Sequence, residues 1–455
     1  MKHEKLSEAL NQISDRHISE AAACKRRPHP AWLGAVAAVL ALVIFFYAAG
    51  APLAIQAKAV STADYPKYVW TYLGNEMDTI TPRINRFFKS SMTQTLSAAQ
   101  EENMVYSPIN LYMALSLGAE LTAGTTRQQI LDVLATHDLS TLRQQTNTLW
   151  NACYYDEKNH TLLANSLWLD KDLSYNQEIM DLLAGNYYID VYQGNFGSDR
   201  TDKAVTGWLN EKTGGLLKES TQGIDLDPET VLTAYSTVFF RAMWTESSEF
   251  APRNNTDGVF HAPDGDRTVT FMNKKEHETS YYWGSDFGAV CLGLRDGSRM
   301  WFILPDEGKT AQDVIQSGEY LPFVLGQSRS DTGTESGERR AKVNISVPKF
   351  DIRVSSDLKE DLQALGITDV FSPGTADFSA SVESSLPVYL SGVNQATRVA
   401  IDEEGVTAAS YIELPGVGAA PPPDEIIDFI VDRPFVFVIA NRYNVPLFAG
   451  VVNEP

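Results

Sequence analysis

The chain has 455 residues, enough for one large or two to three ordinary domains, which excludes a mini-protein. Hydrophobic residues at 44% and charged residues at 21% are globular proportions and exclude disorder along most of the length. Lys plus Arg number 37 against Asp plus Glu 58, a net charge of −21 that repels phosphate; with no long basic stripe, nucleic acid is excluded as a partner.

Residues 1–30 carry a small positive excess that ends in Lys25, Arg26 and Arg27, and the stretch 31–51, AWLGAVAAVLALVIFFYAAGA, is apolar throughout. At 1.5 Å per residue it reaches roughly 31 Å as a helix, about the thickness of a bilayer's hydrocarbon core. The basic flank holds the N-terminus on the cytoplasmic side. The division expected is a cytoplasmic tail (1–30), a transmembrane helix (31–51), a stalk (52–77) and a folded outer domain (78–455), with the body outside the cell membrane on a single pass. The alternative is a cleaved signal peptide, with Ala49-Gly50-Ala51 as its small-residue site, and a secreted body.

Helical periodicity runs through 84–92, Leu111–Leu117 and Arg127–Leu134, with Thr125 or Thr126 placed to cap the last. Later segments are short, β-branched and aromatic: Val231–Arg241, Met300–Leu304, Val343–Phe350, Val388–Ser391, Ile426–Val431 and Phe435–Ala440 read as strands. The polar run Gln327–Lys342 reads as a solvated excursion. Helices first and strands later indicate an α+β fold, with helices packed on large, mainly antiparallel sheets.

A search for catalytic chemistry finds little. His137, His160, His261 and His277 are the histidines beyond the apolar run, and none sits in an H-E-x-x-H pair. There is no G-x-S-x-G elbow, phosphate loop or dinucleotide turn. Cys24, Cys153 and Cys291 lack C-x-x-C spacing, so no disulfide framework or thiolate metal cage is expected, and Cys153 and Cys291 are expected to be unpaired. No cofactor, no metal and no enzymatic activity are expected.

The unusual segment is Ile401–Pro423, IDEEGVTAASYIELPGVGAAPPP. Its alternation would put Val406, Ala408, Ser410, Ile412 and Leu414 on one face of a strand, with Gly405 as a hinge that tolerates unusual backbone angles. Elsewhere, in order along the chain, come NMVYSPIN (103–110), ALSLGA (114–119), GTTRQQI (124–130), LANSLW (163–168), WLNEKTG (208–214), VFFRAMW (238–244), ILPDEG (303–308), VPKF (347–350), DLKE (357–360), LGITD (365–369), DRPF (432–435) and LFAG (447–450). Together they resemble the serpin family over about 78–455.

The resemblance implies a metastable fold of three β-sheets and eight to nine helices with an exposed reactive-centre loop. It implies that a target serine protease cleaves the loop and forms a covalent acyl complex, after which the loop inserts into the main sheet and the protease is trapped by a monomeric inhibitor. The hinge would be Glu403, Glu404, Gly405, Val406, Thr407, Ala408, Ala409 and Ser410, and the reactive bond Ala419–Ala420, within the window Val417 to Pro421. Small residues there suit elastase-like or subtilisin-like proteases. Ser107, Asn110, Ser236, Trp244 and Gln395 would form the region where the sheet opens. Three departures stand out: Val406 where Thr or Ser is usual, Pro415 in the inserting strand, and Asn110, Ser236 and Gln395 where Ser, Asn and His are usual. They leave open a non-inhibitory member acting as a binding module.

Overall fold

The computed structural model describes residues 57–66, 72–99, 101–154, 161–215, 218, 224–327, 336–384, 387–406 and 426–455. The apolar run 31–51, the hinge residues Thr407, Ala408, Ala409 and Ser410, and the bond Ala419–Ala420 lie outside the described residues. No helix among the described residues is long and apolar enough to cross a membrane.

Nine α-helices occur among them: α1 (Gly74–Ser97), α2 (Pro108–Leu121), α3 (Gly124–Val133), α4 (Leu139–Cys153), α5 (Gln177–Tyr187), α6 (Asp199–Lys212), α7 (Ala311–Ser317), α8 (Leu321–Val324) and α9 (Lys359–Ala364). Helix α1 buries Ile80, Ile84, Phe87, Phe88 and Met92, a stripe at helical spacing. In α2, Ser107 caps the N-terminus and Pro108 occupies the first turn, where its missing N–H costs nothing. Helix α2 is buried on nearly every side, which marks it as the central helix of the body. The expected cap on α3 is corrected: Ala123 stands at that position without a side-chain bond. Thr125 and Thr126 lie inside the first turn, and their hydroxyls instead donate to Asp369 Oδ2 (2.9 Å) and the Thr375 carbonyl (3.2 Å).

The strands are β1 (Lys58–Ser61), β2 (Met104–Tyr106), β3 (Thr161–Asp170), β4 (Ser174–Tyr175), β5 (Ile189–Gly194), β6 (Leu232–Phe240), β7 (Ala242–Met243), β8 (Thr256–Ala262), β9 (Gly265–Trp283), β10 (Phe287–Gly293), β11 (Arg299–Pro305), β12 (Gly337–Pro348), β13 (Phe350–Asp357), β14 (Val382–Glu383), β15 (Asn394–Ile401), β16 (Gly405–Val406), β17 (Ile426–Ile430), β18 (Phe435–Ala440) and β19 (Pro446–Val452). A nine-stranded ladder runs β17-β12-β9-β10-β11-β18-β19-β2, with β8 on β9, and β4 and β14 form a small ribbon. Two four-stranded ladders, β1-β5-β3-β6 and β13-β15-β16-β7, are joined by the chain itself, because β7 follows β6 after Arg241. Among the described residues β6 and β15 share no ladder, so one large sheet is divided along its middle. Trp150, Trp168, Trp208 and Trp244 are among the largest fully buried side chains.

Three sequence expectations change. Where a stalk was expected, Lys58–Ser61 adds an edge strand to β5, and α1 begins at Gly74. Val388–Ser391 forms no strand: Pro387 precedes it, Tyr389 faces solvent, and pairing starts only at Asn394. The excursion ends early, because Gly337–Lys342 already pairs with β9. Glu338 and Arg340 are exposed on one face, while on the other Arg339 lies over the rings of Tyr281 and Trp283 at 6.0 and 5.4 Å and Ala341 and Val343 are fully buried.

Candidate functional site

The chain leaves β15 at Ile401 and reverses within four residues. Asp402 makes the reversal, because its Oδ1 accepts the N–H groups of Glu404 (2.9 Å) and Gly405 (3.2 Å), an Asx turn. The backbone closes the same turn with Asp402 N–H donating to the Gly405 carbonyl at 3.0 Å. Trp244, fully buried, fastens it from below: its Nε1–H donates to the Asp402 carbonyl (2.8 Å) and its backbone N–H to the Glu404 carbonyl (3.1 Å). Glu403 pairs with Lys349 Nζ (2.5 Å) and accepts from Asn255 Nδ2. Burial pushes the Glu403 carboxyl up, but those two bonds outweigh it and hold the group below the usual glutamate range.

Gly405 and Val406 then form β16, antiparallel to β7 (Gly405↔Met243, Val406↔Ala242) and to β15 (Val406↔Ile401). Two residues after the turn are thus paired into the sheet. Gly405 has φ +152°, and a Cβ there would overlap the Ala242 carbonyl oxygen and stand 2.6 Å from Met243 Cα, so only glycine fits. Val406 is 3% exposed and turned inward, against Val238, Phe240, Val399, Ile439 and Phe448.

Beyond Val406 the seam between β6 and β15 is unfilled among the described residues. One cavity of about 20 Å³ lies between Val238 and Phe240 on one side and Arg398, Val399 and Ala400 on the other. A second, also about 20 Å³, lies between Val238 and Ala396, Thr397 and Arg398, with Ser107 and Asn110 as its floor. Each has room for about one water.

Below the cavities the seam is closed by side chains fixed to the start of α2. On one side Gln395 of β15 grips the backbone of Ser107, its Oε1 accepting the Ser107 N–H (2.7 Å) and its Nε2 donating to the Ser107 carbonyl (3.3 Å). Ser107 Oγ caps α2 by accepting the Asn110 N–H (3.3 Å) and donates to the Leu447 carbonyl (2.6 Å). On the other side Asn110 Nδ2 donates to the Ser236 carbonyl of β6 (2.8 Å), and the Ser236 hydroxyl meets the Oδ1 atoms of Asn110 and Asn165. Each half of the sheet is thus bonded to α2 rather than to its opposite half.

Ser107, Asn110, Ser236 and Gln395 lie together at the seam, whereas Trp244 stands at the turn and makes none of these bonds. Asp402, Asn165, Lys349 and Asn255 were missed. For Asp402 a signal existed, an Asp three residues before a glycine; Lys349 and Asn255 are distant in sequence and gave none. His261 Nδ1 meets Asp266 Oδ1 at 2.7 Å on the surface, and His277 is lowered to about 4 by burial and by Lys274. Among the described residues no group of three or more His, Cys, Asp or Glu side chains is placed to hold a metal ion. Cys153 and Cys291 are unpaired, both thiols pushed up to about 12 by burial.

The family model described as "Serpin (serine protease inhibitor)" matches residues 83–455. Serpin-ZX of Arabidopsis thaliana is 28% identical over 378 residues, covering 79% of this chain and 94% of that protein. Plasminogen activator inhibitor 1 of Sus scrofa is 26% identical over 379 residues, covering 80% and 89%. The native state of tengpin, a thermophilic serpin, superposes with a TM-score of 0.72 at 23% identity, covering 88% of this chain and all of that one, which speaks to fold alone. With most of its length matched by the family model, and with β16 seated between β7 and β15 in a divided sheet, the chain belongs to the serpin family.

Proposed function

We propose that the protein is a suicide-type inhibitor of extracellular serine proteases of elastase-like or subtilisin-like specificity, acting by cleavage and insertion of the loop at 407–425. The observation that carries this reading is the two-residue strand β16, seated between β7 and β15 with unfilled cavities beyond it. Continuing its register residue by residue sets Ala408 between Phe240 and Val399, Ser410 between Val238 and Thr397, and Ile412 between Ser236 and Gln395. The first two slots coincide with the two cavities. The inward face is small at each, which lets the seam accept side chains before it is forced wide.

In the chemical step the protease serine Oγ attacks the Ala419 carbonyl, the Ala419–Ala420 bond breaks, and the serine's proton passes through the protease's histidine to the departing Ala420 amine. Ala419 remains as an acyl ester, which water will hydrolyse unless insertion is faster. Insertion is driven by burial of Ile412 and Leu414, about 1.5–3 kcal/mol each, and by new ladder bonds at about 0.5–1.5 kcal/mol each. Val406 adds nothing further, because it is buried before cleavage. Ser236, Gln395 and Asn110 must exchange partners as Ile412 arrives, so the latch sets part of the barrier.

The apolar run 31–51 anchors the body outside the cell on one span; N-terminal sequencing that finds mature protein starting after Ala51 would replace this with secretion. The partner is the protease, met by a monomer. Pro415 favours a second reading, a binding member that traps nothing, since a residue without an N–H breaks a central ladder. The experiment that separates the two is incubation of the full chain with pancreatic elastase. An SDS-resistant band at the summed mass supports trapping, and cleaved chain without that band supports the binding module.

A further inference from the structure

We propose that the outer edge of the divided sheet carries a docking site for an extended segment tipped by an aromatic ring, that residues 58–65 occupy it in cis, and that their seating restrains the sheet from opening. The second clause rests on the insertion reading above; the first does not. Strand β1 pairs with β5 through Lys58↔Gln193, Ala59↔Tyr192 and Ser61↔Val191, with a bulge before Ser61. So short an edge strand is weak by itself. What fixes it follows: Ala63 N–H donates to Asp190 Oδ1 (3.0 Å), and the ring of Tyr65 stacks on Trp150 at 5.8 Å and 12°, beside Tyr154 at 6.4 Å and Tyr188 at 6.2 Å. Lys212 Nζ stands 4.9 Å over the same ring.

The cradle is organised without the strap. Trp150 donates its Nε1–H to the Leu163 carbonyl (3.1 Å), Trp208 Nε1–H bonds Asp190 Oδ2 (2.9 Å), and Lys212 pairs with the same oxygen at 3.5 Å. Recognition is of a ring face rather than a phenol, because the Tyr65 hydroxyl is buried with no partner. The segment precedes the residues 83–455 that the family model matches, while the cradle that receives it lies within them.

The geometry gives the restraint. To admit a strand beside β15, the half-sheet β5-β3-β6 and the helix α6 above it must shift against the helical layer. Tyr65 is wedged across that boundary, touching Trp150 near the end of α4, Tyr188 between α5 and β5, and Lys212 at the end of α6. Movement of either side has to free the ring first.

The test uses the full chain in detergent. Hydrogen exchange reports docking at 58–61 and 189–194, and slow warming reports conversion of uncleaved protein to a heat-resistant, loop-inserted form. Tyr65→Ala and Ala63→Pro, the latter lacking the N–H that Asp190 accepts, are expected to lose protection and convert about tenfold faster, a barrier change of about 1.4 kcal/mol. Tyr65→Phe should match the wild type in both. A synthetic peptide of residues 56–65 added to the Tyr65→Ala chain should slow its conversion again. Lost protection with an unchanged conversion rate overturns the restraint and leaves inhibition standing. A peptide without effect at hundreds of micromolar overturns the docking site. Wild type that neither converts nor traps a protease removes the insertion reading and the restraint together, with hydrogen exchange still reporting whether 58–65 is seated.

Discussion

The nine-stranded ladder and the divided sheet are built from similar residues and finished differently. In the first, β18 pairs on both sides, with β11 and β19, and every residue from Phe435 to Ala440 is fully buried. In the second, β6 and β15 are pinned apart by Ser107, Asn110, Ser236 and Gln395, with unfilled space above the pins. A ladder that is complete can only lose stability, whereas one whose halves share no ladder among the described residues would, on the insertion proposed above, have a lower state available to it. On that reading the free energy for work would be kept in pairing left unmade, with side-chain hydrogen bonds holding the place.

The sharpest way to break the comparison is Ala408→Arg. An unpaired guanidinium in the slot between Phe240 and Val399 costs the inserted form several kcal/mol and leaves the resting form nearly untouched. Cleavage should continue while the covalent complex disappears from gels; complex formed at wild-type stoichiometry would show that the inward face is assigned wrongly. In the complete ladder the opposite holds. Phe437→Ala should cost about 3–5 kcal/mol and lower the thermal midpoints of intact and cleaved protein alike, so a change in only one of them would contradict the division of labour.

Gln395→Ala removes both grips on Ser107 and strands a buried N–H, worth about 1–3 kcal/mol. The intact form should lose more than the cleaved form, in which the latch has already been rearranged, and comparison of the two melting curves decides it. Smaller still is the pH response of His277, on the complete ladder. Its native value of about 4 lies below the ordinary 6.5, so the unfolded chain takes the proton first. The stability held by the neutral ring is complete above 6.5 and lost as pH falls toward 4. Denaturant midpoints should drift down over that window by the same amount in intact and cleaved protein, and His277→Gln should flatten both. Thiol titration should find Cys153 and Cys291 inert in native protein and reactive after unfolding, since burial suppresses both thiolates.

Much of the frame was legible beforehand, for reasons that differ by element. Phe435–Ala440 is apolar at every position because both faces are covered, and it reads as a strand with no context. Helix α3 was legible by its period but not by its start, since a threonine's hydroxyl has tertiary acceptors that a local rule does not see. Val388–Ser391 carried strand composition without a partner to pair with. The strap was illegible: Lys58–Ser61 is too short to show a period, and the worth of Tyr65 depends on Trp150, Tyr188 and Lys212, which only the fold assembles. The pairing of Val406 was not legible, because its seating depends on Asp402 and Trp244 meeting across the turn.

The overlap that any side chain at Gly405 would make with the Ala242 carbonyl works as a key in a lock. A strand slipped by a single residue turns all its side chains over, and such a slip would bring Glu404 or Val406 to the one place that admits no Cβ. The register of Gly405 and Val406 is therefore set in the resting chain. On the insertion proposed above, residues beyond the key would inherit their facing from it, while those near 419–420 could change without disturbing that register. On the trapping proposed above, a lineage could rewrite the bait for a new protease and leave the machinery of capture as it was.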